Sequence, residues 1–218
     1  MKLLLTSAGL CNKSIVNALA SLIERPFTDL SLSFIPTAAN VEEGSKDWLI
    51  DDLVNCKNLN LSTIDILDIS ALPNDSISTR LEKSDIIFFG GGDLFYLMEW
   101  VKRTGLDKTL PRMLDKKIYI GLSAGTMLTG KWWSTKYDVE YYGEKAQPID
   151  RYNCLGLVDF FVIPHVNNTF FPKVTIETVQ KLASEVKEPL YAIDDSGAVV
   201  VDGENISVVS EGEWKKFN

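Results

Sequence analysis

Ile118-Tyr119-Ile120-Gly121-Leu122-Ser123-Ala124-Gly125 reads as a buried strand that runs into a turn and then a helix. Its apolar start suits a strand covered on both faces, as in a parallel sheet. Glycines on either side of Ser123 permit a sharp backbone path, and the G-x-S-x-G spacing lifts the serine hydroxyl out of the sheet. The next amide, that of Ala124, then stands at a helix N-terminus and can donate to a developing oxyanion. Open α/β sheets place their sites at these carboxyl ends of parallel strands.

Working outward, short β-rich runs alternate with helical patterns. Strands are expected at residues 2–6, 31–35, 63–69, 85–89, 117–121, 160–163, 190–193, 198–201 and 206–209. Helices are expected at 13–23, 41–56, 78–83, 94–103, 108–114 and 174–186, with another beginning near Ala124. Regular β-then-α order implies a mainly parallel sheet with helices on both faces. Asp202-Gly203 separates the last two strands, which read as an antiparallel hairpin at one edge. No internal repeat or linker divides the chain, so residues 1–218 are expected to form a single domain.

A second strand–glycine junction lies at Ile86-Ile87-Phe88-Phe89-Gly90-Gly91-Gly92-Asp93. It fits neither a dinucleotide fingerprint nor a P-loop. A second oxyanion donor beside Ser123, from Gly91 or Gly92, gives the glycines a use, and Asp93 suits the N-cap of the next helix.

The chain holds one histidine, so a histidine base for Ser123 must be His165. It follows the strand Phe160-Phe161-Val162-Ile163 and Pro164, on a loop at a strand's end, where catalytic side chains gather. Asp138, Asp194 and Asp195 are candidates to orient its ring, with Glu140 and Glu144 weaker ones. Trp132, Trp133, Tyr137, Tyr141 and Tyr142 crowd one segment, as either a pocket wall or core.

Composition narrows the partners. A formal charge of −8 over 218 residues, with no basic cluster, argues against a phosphate-backbone partner. No apolar run approaches membrane-spanning length, and the three leucines after Lys2 are too few for an export signal. Cys11, Cys56 and Cys154 make no metal or redox pattern and suit free thiols in a cytoplasmic protein.

Together, Phe34-Ile35-Pro36-Thr37-Ala38, the segment from Gly90 to Leu97, Gly121 to Gly125, and Pro164-His165 resemble peptidase family S51, which includes aspartyl dipeptidase (peptidase E) and cyanophycinase. The resemblance spans nearly the whole chain. It implies a three-layer αβα sandwich, flavodoxin-like and similar to class I glutamine amidotransferases, with serine replacing their cysteine. It implies Ser123 as nucleophile, His165 as base, and Gly91, Gly92 and Ala124 as oxyanion donors. Asp138 matches the acidic position after the serine, and Asp195 a later one, as the alternative third member. The activity implied is hydrolysis of dipeptides or short peptides, without metal or cofactor, by a monomer or homodimer. The family's arginine for a substrate carboxylate has no counterpart between Asn167 and Val186, and Asp93 stands where the family often has asparagine. An α/β-hydrolase esterase shares G-x-S-x-G but usually carries its histidine near the C-terminus. A catalytically silent binding protein of the same fold is the other alternative.

Overall fold

In a computed structural model describing residues 1–218, the leucines of the first strand divide between two hydrophobic cores: Leu3 and Leu5 join one, Leu4 the other. The same alternation runs through the central strands. Ile87, Phe89 and Tyr119 face the first core, while Ile86, Phe88 and Ile120 face the second. A sheet with both faces covered needs such unbroken apolar strands.

The chain runs β1 (Lys2–Thr6), α1 (Lys13–Ile23), β2 (Ser31–Ile35), α2 (Asp47–Asn58), β3 (Thr63–Ile66), α3 (Asn74–Lys83), β4 (Ile86–Phe89), α4 (Leu94–Arg103), α5 (Leu106–Met113) and β5 (Ile118–Leu122). A one-turn α6 (Ala124–Met127) follows, then β6 (Trp132–Ser134), α7 (Thr135–Tyr137) and β7 (Arg151–Asn153). The last elements are β8 (Phe161–Ile163), α8 (Ile176–Glu185), β9 (Leu190–Ile193), β10 (Gly197–Asp202), β11 (Asn205–Ser210) and β12 (Trp214–Phe217). No helix is long and apolar enough to cross a membrane.

The central sheet has seven strands in the order β11-β10-β1-β5-β4-β2-β3. Its five strands from β1 to β3 are parallel, and the β10–β11 hairpin adds antiparallel to β1. This is the expected α/β fold with a mainly parallel sheet. One placement differs. The strands expected at 160–163 and 190–193 form, but as β8 and β9 of a separate three-stranded sheet that β12 completes. Apolar periodicity marks a strand without naming its partner.

Helix boundaries shift where local chemistry overrides the pattern. The helix expected at 41–56 is a 3-10 turn (Thr37–Val41) and then α2, with Gly44 at φ +86° between them. Position φ > 0 suits glycine and stops a right-handed helix. The short helix expected at 78–83 begins earlier, after Pro73, which presets the entry to α3. Asp93 caps α4 as expected, accepting from the Tyr96 amide at 2.7 Å.

For function, the order of strands matters most. β5 lies between β1 and β4, so the turn after β5 is flanked by Thr6-Ser7 on one side and Gly90-Gly91-Gly92 on the other. The turn packs so closely that a Cβ on Gly125 would stand 2.1 Å from the Phe89 carbonyl oxygen. Gly125→Ala should therefore displace the turn from β4, with a stability loss of about 3 kcal/mol in chemical denaturation. Wild-type stability in that variant would show that the two backbones can separate without cost.

Candidate active site

Ser123 adopts φ +48° and ψ −110°, outside the usual regions for a non-glycine residue. Its neighbours hold it there. The Ser123 amide donates to the Thr6 carbonyl at 3.2 Å, and the Ser123 carbonyl accepts from the Thr126 and Met127 amides at 2.9 Å each. Thr126 Oγ1 also donates to the Thr6 carbonyl, at 2.7 Å. A Cβ on Gly121 would lie 2.7 Å from the Gly125 carbonyl oxygen, so both motif glycines are sterically required. Beneath the turn, the fully buried Tyr119 donates its hydroxyl proton to the Gly125 carbonyl at 2.5 Å.

The glycine run reaches the serine from β4. A Cβ on Gly91 would come within 3.3 Å of Ser123 Cβ. Gly92 has φ +124°, and a Cβ there would collide with the Ala38 carbonyl oxygen at 2.3 Å. Neither the Gly91 nor the Gly92 amide donates to a backbone or side-chain acceptor in the chain, whereas the Gly90 and Asp93 amides both do. Ala124 opens α6, and the first amide of a helix has no intrahelical acceptor.

His165 arrives from the smaller sheet, after β8. Its Nε2 lies 2.8 Å from Ser123 Oγ, and its Nδ1 lies 2.6 Å from Asp195 Oδ1. A carboxylate only accepts, so Nδ1 carries the ring proton and Nε2 accepts from the serine hydroxyl. Phe171 stacks on the imidazole with centroids 4.8 Å apart. Burial pushes the Asp195 carboxyl up, but the hydrogen bond and charge of His165, with the Asn168 amide and Ser7 hydroxyl, outweigh it and hold the group at about 2.

Asp195, the alternative third member, therefore touches the imidazole, and Asp138 does not. Asp138 is buried on the segment after β6, accepting from Trp133 Nε1 at 2.5 Å and Tyr152 Oη at 2.9 Å. Burial raises its carboxyl to about 6; the two hydrogen bonds oppose the rise and the charge of Asp93 adds to it. Asp194 holds a turn instead, accepting from the Ser196 and Glu213 amides. Glu140 is exposed, and Glu144 is half-buried, pushed up to about 7 by burial and by Glu42, Asp93 and Asp138.

The aromatic cluster is mainly core: Trp133, Tyr137 and Tyr141 are buried there. Tyr142 alone of the five reaches the histidine loop, packing on Phe171 at 5.5 Å and donating to the Pro164 carbonyl at 3.4 Å. No group of three His, Cys, Asp or Glu side chains could hold a metal ion. A cleft of about 510 Å³ lies at the other end of the sheet, beside Lys2, Arg25 and Lys117. Three of its cations are already engaged: Lys2 by the Leu22 carbonyl and Glu24, Arg25 by Asp85, and Lys117 by the Glu82 and Ser84 carbonyls.

Sequence reasoning missed Ser7 and Asn168, both of which donate to Asp195. Ser7 had one available signal: it ends a buried apolar strand, as Ser123 does.

These features define an α/β protein with a serine, a histidine and a carboxylate linked in series at the carboxyl edge of its sheet. The chain matches Peptidase family S51 over residues 3–209. An uncharacterized peptidase of Listeria monocytogenes is 34% identical over 177 residues, covering 81% of this chain and 84% of the relative. One from Pasteurella multocida is 35% identical over 179 residues, covering 80% and 82%. A crystal structure of a candidate peptidase E from Listeria monocytogenes superposes with a TM-score of 0.80 at 31% identity, covering 97% of this chain and 98% of that one. The chain belongs to peptidase family S51, a family of serine-type peptidases.

Asp138 is protonated more readily in the folded protein than in the unfolded chain, where its value is about 4. Its contribution to stability is thus complete below about pH 4 and is lost as pH rises through about 6, by on the order of 2–3 kcal/mol. In Asp138→Asn the side-chain amide meets both Trp133 and Tyr152, and that part of the pH dependence should vanish from denaturation curves. Identical slopes in both proteins between those pH values would contradict the burial effect.

Proposed function

We propose that this chain is a serine peptidase that hydrolyses dipeptides or other short peptides through an acyl-enzyme. The observation that carries the proposal is the unbroken series Ser123 Oγ, His165 Nε2, His165 Nδ1 and Asp195 Oδ1, with spacings of 2.8 and 2.6 Å on either side of the ring. His165 takes the hydroxyl proton as Ser123 attacks the scissile carbonyl, and Asp195 steadies the imidazolium that forms. The carbonyl oxygen becomes an oxyanion beside the Ala124 amide and the free amides of Gly91 and Gly92. His165 then gives its proton to the leaving amine as the C–N bond breaks. Water, deprotonated by the same imidazole, releases the acyl group and restores Ser123. Such chemistry draws on side chains and backbone alone.

The reading as a peptidase E-like enzyme is supported by kinship. A peptidase E of Streptomyces coelicolor is 26% identical over 63% of this chain and 57% of its own length. Aspartyl preference is not part of the proposal. The segment after His165 holds no arginine; it carries Phe170, 86% exposed, and Phe171, which stacks on the imidazole.

Ser123→Ala should lower dipeptide turnover by roughly 10⁴-fold or more while the melting temperature holds. An activated organophosphonate should label wild-type Ser123 and leave that variant untouched. Undiminished turnover in Ser123→Ala would reject the mechanism. A folded wild-type protein that resists labelling would favour a silent binding protein.

The two carboxylates should separate cleanly. Asp195→Asn should cost about 10³- to 10⁴-fold in kcat, because an amide no longer selects the Nδ1–H tautomer. Asp138→Asn should stay within about tenfold of wild type. The reverse ranking would return the third role to Asp138.

A further inference from the structure

Ser7 follows the last residue of β1 and is fully buried. Its hydroxyl accepts from the His165 backbone amide at 2.8 Å and donates to Asp195 Oδ1, also at 2.8 Å. The proton must go to the carboxylate, which only accepts, and a lone pair then receives the amide. One hydroxyl therefore bonds both members of the proton-handling pair at once. It lies 3.5 Å from His165 Nδ1, farther than the carboxylate at 2.6 Å, so it leaves the ring proton to Asp195.

Both groups need such a hold. His165 has φ +66°, a left-handed conformation that a residue other than glycine keeps only when its surroundings impose it. Rotation about that backbone would swing the imidazole away from Ser123. Asp195 is fixed at both oxygens, Oδ1 by Ser7 and His165, Oδ2 by the Asn168 side-chain amide. Without Ser7, Oδ1 would keep the ring alone, and the His165 amide would lose its acceptor.

The residue before it serves the other half of the site. The Thr6 carbonyl receives the Ser123 amide and the Thr126 hydroxyl, and Thr6 Oγ1 donates to the Gly121 carbonyl at 2.7 Å. Adjacent residues of one chain segment thus bind the nucleophile's turn and the base with its acid. On the footing of the acyl-transfer reading above, we infer that Ser7 is a positioning residue: its hydroxyl sets the His165–Asp195 pair in register with Ser123. It touches neither substrate nor the reacting oxygen, and it acts through the imidazole.

Ser7→Ala removes one oxygen from a buried place and creates no collision. The variant should fold and bind substrate with KM nearly unchanged, while kcat falls roughly 10- to 100-fold, the scale of a small misplacement of reacting groups. Phosphonate labelling of Ser123 should slow in proportion. His165 is the chain's one histidine, so its far-downfield ring N–H resonance in proton NMR needs no further assignment. That resonance should shift or broaden in Ser7→Ala and return toward its wild-type position in Ser7→Thr, which keeps the hydroxyl. Should Ser7→Ala fail to fold, Ser7→Cys carries the same readouts with a poorly donating thiol.

An unmoved resonance with unchanged kcat would overturn the inference. So would an activity loss matched only by loss of folded protein. Failure of the peptidase reading looks different: wild type would neither turn over dipeptides nor take up the phosphonate, yet the NMR comparison would still judge the hold of Ser7 on the imidazole.

Discussion

Between β4 and the turn after β5, two stretches of backbone meet with no side chain between them. Gly125 sits so close to the Phe89 carbonyl that even a methyl group would overlap it. That approach lets α6 begin immediately beside the glycine run, and it leaves Ser123 in a conformation few residues adopt. The strain is balanced by hydrogen bonds on three sides, from Thr6, Thr126 and Met127. The register of β4 on β5 also brings Gly91, whose amide has no acceptor in the chain, up against Ser123. Remove the close approach, and Ser123 no longer stands beside the glycine run.

The site is assembled from two sheets. Ser123 and the glycine amides come from the seven-stranded sheet; His165 and Asp195 come from loops after β8 and β9 of the three-stranded one. No strand pairing joins the two sheets, so side-chain hydrogen bonds and packing set their relative position at the site. Ser7 supplies bonds of this kind to both His165 and Asp195, and Phe171 adds an aromatic surface against the ring. Tyr142 ties the loop after β8 to the segment that buries Asp138. The Asp138 carboxyl, raised to about 6 by burial and bonded to Trp133 and Tyr152, suits a structural anchor.

Much of this was legible in the residues. The strands of the parallel sheet announce themselves as apolar runs, because both faces are covered and no polar alternation interrupts them. G-x-S-x-G is readable since only small residues fit the turn, and His165 by its solitude. The choice between Asp138 and Asp195 was not readable. Asp138 lies 15 residues past the serine and Asp195 just after a strand, and spacing along the chain says nothing about which sheet a strand joins. The same limit hid the second sheet. Its outer strand, β12, is four residues long and largely exposed, with two lysines in the middle, so it carries no burial pattern to detect. Ser7 carried only the faint signal of its place after a buried strand: a serine after three leucines and a threonine looks like any strand end until its two partners arrive from residues 165 and 195.

The order in which those partners occur along the chain bears on synthesis. β1 emerges first from the ribosome, but its outer neighbour β10 comes late, after Asp195 has been added. A partly made chain holds the turn at Ser123 and still lacks both the carboxylate bonded to the imidazole and the hairpin that covers the first strand. The series from Ser123 through His165 to Asp195 is therefore closed only within the last third of the chain, just before the hairpin that finishes the sheet.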